Sequence, residues 1–265
     1  MLTETQVNEF AVRIGRDSVV PRKQQKRQRL DELLVTRGLA PEVKEAAAMV
    51  MAGEVRLPNH TGTPTPGMRV ADDIEIQVAE KPRFVSRGGE KLEHALTKFQ
   101  INVNGMVCLD VGASTGGFTD CLLQRGALNV FAVDTGRGQL HNDLLLDDRV
   151  VSMERTNPVS IESFPEIIQF AVMDVSFTSL EKVLPDVFRH LDSGRQVVAL
   201  LKPQFQARKS EVPKGGVIDS PELWATVIGR FVKWCGEHAV RLRNFTSSPI
   251  FGDSGNREFL LLLEK

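Results

Sequence analysis

Residues 108–120 read CLDVGASTGGFTD: an apolar run that ends in Asp110, a turn holding Gly112, then Gly116 and Gly117 opening a second partly apolar segment. The apolar run predicts a strand over 107–111, and the segment after the turn predicts a helix over 117–124. Glycines at such a turn let the backbone approach a bound molecule closely. In an open parallel sheet the ligand crevice lies beyond the carboxyl ends of the strands, so this turn is expected at a binding site.

Downstream of this stretch, strand-like and helix-like segments alternate. Strands are predicted at 107–111, 130–133, 150–153, 170–174 and 196–201, helices at 117–124, 180–191 and 221–237, and two late strands at 241–245 and 258–263. Alternation of this kind predicts an α/β, doubly wound, mostly parallel Rossmann-like sheet.

The spacing of the glycines narrows the ligand. The dinucleotide fingerprint is G-x-G-x-x-G, whereas Gly112, Gly116 and Gly117 fall as G-x-x-x-G-G; a phosphate loop ends in Gly-Lys-Ser/Thr, and Gly117 precedes Phe118. Asp134 closes the next strand, where a carboxylate can accept from the hydroxyls of a ribose. With both phosphate motifs excluded, the turn and Asp134 point to S-adenosylmethionine. The candidate cofactor contacts are Asp110, Gly112, Ser114, Thr115, Gly116, Gly117, Phe118, Asp134 and Asp174.

Upstream, residues 1–27 lack sustained periodicity and are expected to form a weakly ordered or helical extension. From residue 28 to about 80 the pattern predicts a small α+β domain. Leu30, Leu33 and Leu34 have helical spacing before Gly38, and Val43, Ala46, Ala47, Val50 and Met51 line a second helix before Gly53. Short strands follow at 55–57 and around Ile74, Ile76 and Val78. Residues 81–86 read as a linker and 87–265 as the larger domain.

Of the 265 residues, 42% are hydrophobic and 25% charged, enough for one full core and an accessory domain. No apolar run reaches the roughly 18 residues of a membrane helix. No secretory or transit signal is evident, so a cytoplasmic location and no membrane partner are expected. Cys108, Cys121 and Cys235 fit neither a disulfide framework nor a zinc site, and no metal is expected. With a net charge of −1, contact with nucleic acid must come from local patches such as Arg22, Lys23, Lys26, Arg27 and Arg29.

Four polar residues stand out beyond the turn: Lys91 in SRGGEKL, Asp174 in VMDVSF, Lys202 in LLKPQF and Glu258 in NREFLL. Asp174 and Lys202 are expected at strand ends facing the crevice. Taken singly, Lys91 reads as a solvated helix-end charge and Glu258 as an edge-strand charge.

The order of the motifs changes that reading. RLDELLVTRG (29–38), AAMVMAGEVR (47–56) and DDIEI (72–76) resemble the alpha-L RNA-binding domain. After it come SRGGEKLEHAL, LDVGASTGGFTD, VDTGRGQL, MDVSF, LKPQF and SGNREFL, which resemble the TlyA family of ribosomal RNA 2′-O-methyltransferases, historically labelled hemolysins. The likeness covers roughly residues 28–265. Two departures are Pro41, Glu42 and Lys44 where the alpha-L pattern has a serine-arginine pair, and Arg137 where the family commonly has an aromatic residue.

The resemblance implies an RrmJ/FtsJ-like catalytic domain in which Lys91, Asp174, Lys202 and Glu258 form the catalytic tetrad. S-adenosyl-L-methionine would be the methyl donor, a ribose hydroxyl of cytidine the acceptor, and ribosomal RNA and ribosomal subunits the partners. Arg29, Arg37, Lys44, Arg56 and Arg87 are the candidate RNA contacts. Lys202 is open to two roles, a base that needs a value well below a lysine's usual 10.4 or an ammonium that orients the hydroxyl and steadies developing negative charge. The competing readings are a membrane-active hemolysin, which would need an insertion segment, and an RNA-binding module without catalysis, which would not need the lysines.

Overall fold

The computed structural model describes residues 26–79 and 82–265. The expected N-terminal extension, with Arg22 and Lys23 of the basic patch, lies outside the described residues apart from its last two positions. The chain divides into two compact units, with the boundary between residues 81 and 82.

Among the described residues of the first unit, two helices and four short strands form an α+β assembly. Helices α1 (Leu30–Thr36) and α2 (Val43–Met51) pack around Leu30, Leu33, Leu34, Ala46, Val50, Val55 and Val70. Strand β1 (Arg27–Arg29) pairs antiparallel with β3 (Arg69–Ala71), and β2 (Val55–Arg56) with β4 (Gln77–Val78). The sequence pattern did not reveal β1 and β3. The expected DDIEI strand is a turn at Asp72 and Asp73 leading to β4, two residues long.

The second unit is a seven-stranded sheet covered on both faces. Its strands are β5 (Val107–Val111), β6 (Asn129–Val133), β7 (Val150–Met153), β8 (Ile168–Met173), β9 (Leu191–Leu201), β10 (Arg241–Ser247) and β11 (Phe259–Glu264). Their order is β10-β11-β9-β8-β5-β6-β7, with β5 to β9 mutually parallel and β11 antiparallel to both of its neighbours. Residues of one strand alternate between the two faces. Val107, Leu109 and Val111 meet α5 (Leu180–Arg189) and α6 (Pro221–Glu237) on one side. Cys108, Val130 and Val172 meet α3 (Gly88–Lys98) and α4 (Gly117–Gln124) on the other. The strand order reverses between β5 and β8, the switch point at which open α/β sheets bind ligands.

Residues 82–86, expected as linker, belong to this unit. Phe84 is buried against Gly89, and the Val85 amide donates to Asp120 at 2.8 Å. The late strand expected at 258–263 is β11, which begins one residue after Glu258 and is paired on both sides inside the sheet. Hairpin return of β10 and β11 onto β9 is a tertiary choice, which apolar patterning alone does not encode.

Candidate active site

The glycine turn is held from below. Asp110, wholly buried at the end of β5, accepts from the Thr119 hydroxyl at 2.7 Å across the turn. Loss of hydration pushes its carboxyl up to about 7, opposed by the Thr119 hydrogen bond and aided by the charges of Asp174 and Asp134. Gly112 has φ +84°, and a Cβ there would stand 2.5 Å from the Asp174 carbonyl oxygen, so glycine is required by both conformation and space. Gly116 is a helix-start residue in the left-handed region, packed on Leu140 and Leu144.

Two adjoining cavities open above this turn. The first, about 640 Å³, runs from Val111, Gly112 and Ser114 past Asp134 and Gly136 to Pro158 and Val183. Asp134 is fixed in its wall because the Ser114 amide donates to one carboxylate oxygen at 2.8 Å and the Gly136 amide to the other at 2.6 Å. Each oxygen retains a second lone pair, so the carboxylate can still accept from a ribose. Partly apolar walls with the oriented Asp134 carboxylate fit a nucleoside.

The second cavity, about 620 Å³, shares Gly112, Ser114 and Asp174 with the first and adds Lys91, Lys202 and Glu258. All four polar residues picked from the sequence therefore meet. Lys91, on the first turns of α3, pairs with Glu258 just before β11 at 2.6 Å, both buried. Lys202, at the end of β9, lies 2.7 Å from Asp174, just beyond β8, and donates to the Ser176 hydroxyl at 2.8 Å. Glu258, which taken singly reads as an edge-strand charge, is enclosed because β11 runs between β9 and β10.

The candidates do not all line a cavity. Gly112, Ser114, Thr115, Gly117, Phe118, Asp134 and Asp174 do; Asp110 and Gly116 lie beneath the turn and shape it. Arg87 stands at the mouth of the second cavity, where it pairs with Asp253. In the first unit Arg29 is bound to Asp31 by two hydrogen bonds of 3.0 and 2.6 Å, and Arg37 donates to the carbonyls of Ile74 and Asp72 at 2.7 and 2.6 Å. All four cations, Lys44 and Arg56 included, are exposed, but Arg29 and Arg37 are engaged in holding their own domain.

Sequence reasoning missed Ser176, Phe177, Phe205 and Asp253. Ser176 and Phe177 lie within the MDVSF motif and could have been taken from it. Phe177 is exposed with φ +62°, its ring 5.2 Å from that of Phe205 at the cavity wall. Nothing in the sequence marks Asp253 as facing Arg87.

Fold and site together define a Rossmann-like methyltransferase: a doubly wound sheet, a glycine turn with a following acid, and polar groups gathered beside the turn. The model of the FtsJ-like methyltransferase family matches residues 84–265. The 16S/23S rRNA (cytidine-2'-O)-methyltransferase TlyA of Mycobacterium tuberculosis is 41% identical over 247 residues, covering 90% of each chain. A solved structure from Streptococcus thermophilus, described as a candidate hemolysin, is 41% identical with a TM-score of 0.68, covering 91% of this chain and 89% of that one. A candidate S-adenosylmethionine dependent methyltransferase from Listeria monocytogenes shares the fold at 13% identity, with a TM-score of 0.51 over 68% of this chain and 98% of that one. The chain belongs to the TlyA family of FtsJ-like methyltransferases. Among the described residues no helix is long and apolar enough to cross a membrane.

Proposed function

We propose that this methyltransferase transfers a methyl group from S-adenosylmethionine to the 2′-hydroxyl of a ribose in ribosomal RNA, that of a cytidine. The observation that carries this reading is the convergence of Lys91, Asp174, Lys202 and Glu258, as two ion pairs, in one cavity beside the glycine turn. The name of the M. tuberculosis relative, a 16S/23S rRNA (cytidine-2'-O)-methyltransferase, supports the acceptor.

S-adenosylmethionine supplies a methyl group already activated by its sulfonium. What remains for the chain is placement of the hydroxyl in line and removal of one proton. Asp134 takes the cofactor ribose, and Gly112, Ser114 and Thr115 let the backbone close on the rest. The ion pair at 2.7 Å supports the ammonium role for Lys202: Nζ donates to the hydroxyl oxygen and steadies the charge that develops there. The hydroxyl proton passes to the Asp174 carboxylate and from there to solvent. Lys91 and Glu258 form the wall that positions the acceptor.

Residues 28–80 serve as an alpha-L RNA-binding domain. Lys44 and Arg56 make its direct phosphate contacts, and Arg29 and Arg37 add charge while bracing the domain. Ribosomal subunits are the natural form of the substrate.

The test is incubation with methyl-labelled S-adenosylmethionine and separated ribosomal subunits, intact ribosomes or naked rRNA, followed by mapping of the modified ribose. Label on 2′-O-methylcytidine is expected, and no label on any RNA overturns the proposal. Lys202→Ala is expected to abolish transfer while calorimetry still records S-adenosylmethionine binding; transfer at the unaltered rate would remove Lys202 from the mechanism.

A further inference from the structure

The acceptor cavity presents three cations, Arg87, Lys91 and Lys202, and each is matched by an acid: Asp253, Glu258 and Asp174 respectively. A cavity so balanced has no surplus charge with which to draw in a polyanion. The three pairs differ in how readily they can part. The side chains of Lys91 and Glu258 are 10% and 3% exposed, and those of Lys202 and Asp174 12% and 22%, so separating either strands a charge out of water. Arg87 and Asp253 are 58% and 95% exposed. An exposed pair of this kind holds weakly and parts without stranding either charge.

The position of that pair gives it a purpose. Arg87 immediately precedes α3 and Lys91 lies one turn further on, while Asp253 lies five residues before Glu258. Two ion pairs therefore tie the same two segments, one deep and one at the cavity mouth. The segment bearing Asp253 rests on the site: Gly252 packs so closely on Glu258 that a Cβ would stand 2.5 Å from Oε1, and the Gly255 amide donates to the Gly252 carbonyl at 2.8 Å in a tight turn.

We propose that Arg87 and Asp253 form a displaceable clasp across the mouth of the acceptor cavity, and that a phosphate of the incoming RNA takes the place of Asp253 on the Arg87 guanidinium. This rests on the RNA-methylating function proposed above. A guanidinium binds phosphate in the same two-pronged way as carboxylate, so the exchange keeps its donors satisfied and releases Asp253 to water. Asp253 then acts as a selectivity device: a ligand without a phosphate beside the target ribose gains no contact with Arg87 when the clasp opens, and non-specific anions must compete with a tethered carboxylate. Asp253 is a positioning residue acting through Arg87, not a catalytic one.

The test is a double-mutant cycle on the full-length protein, reading KM and kcat for rRNA methylation together with the S-adenosylmethionine Kd. Asp253→Asn is expected to lower the KM for rRNA about two- to fivefold, the range over which an exposed ion pair can compete, with the change confined to KM. Arg87→Ala is expected to raise that KM, and adding Asp253→Asn to it is expected to change nothing further, because the carboxylate no longer has a partner to occupy. If Asp253→Asn lowers KM equally in both backgrounds, Asp253 acts only as a repulsive surface charge and the clasp is refuted. If it leaves KM unchanged in the wild-type background, the clasp is likewise refuted. Absence of rRNA methylation by the unaltered protein would instead strike the proposed function itself, so the two failures are separable.

Discussion

Replacing Asp110 with asparagine should reverse part of the protein's pH dependence of stability. Asp110 is wholly buried, and loss of hydration lifts its carboxyl from the ordinary 3.8 to about 7. Between those two values the folded chain holds a proton that the unfolded chain has released. Stability therefore falls as pH rises through this window and levels off above 7. At about 1.4 kcal/mol per pH unit the whole window amounts to as much as about 4 kcal/mol, and the part between pH 5 and pH 8 to about 3 kcal/mol. Asparagine cannot ionise. Its oxygen can still accept from Thr119, but its amide group falls where Asp110 Oδ1 has no partner, a cost of about 1–3 kcal/mol at every pH. Asp110→Asn should thus be less stable than wild type at pH 5 and equal or more stable at pH 8. Urea unfolding at half-unit pH steps measures the difference, since titrating groups not coupled to Asp110 cancel between the two proteins. Parallel pH profiles would show that Asp110 ionises in the folded state as freely as in water, and would refute the reasoning.

Two further outcomes follow from burial. Glu258→Gln leaves the Lys91 ammonium enclosed without its anion, a loss of about 3–5 kcal/mol that Lys91→Met should largely recover when added; a thermal melt unchanged by Glu258→Gln would show the pair to be solvated. Burial pushes the Cys108 and Cys235 thiols up to about 12 and also raises Cys121, so none of the three should react with a thiol reagent at pH 8 until denaturant is added, and one that reacts in the folded protein would contradict its burial.

The parts of this protein that are local in sequence could be read from it. The stretch from Cys108 to Asp120 encodes strand, turn and helix together, because an apolar run, a glycine with positive φ and a helix-forming segment must follow one another within a few residues. Helices over 117–124 and 221–237 were legible for the same reason, as was the carboxylate of Asp134 at the end of its strand. Strands β1 and β3 were not, since three-residue strands such as β1, rich in arginine, carry no apolar alternation and exist only because the other supplies hydrogen bonds.

Lys91 and Glu258, 167 positions apart, show where sequence stops. Each alone reads as a solvated charge, and only their place among family motifs marked them. The fold decided otherwise by inserting β11 between β9 and β10, which carries Glu258 inward, and by laying α3 against α4, which brings Lys91 to 2.6 Å from it. Arg37 shows the converse: an exposed cation that the fold binds to the carbonyls of Asp72 and Ile74, 35 and 37 residues away. Residue type and short-range spacing determined the kinds of element and the chemistry on offer. Which charges meet, which are buried and which remain displaceable depended on strand order, because pairing between distant segments is set by the packing of whole faces and not by any neighbour in the chain.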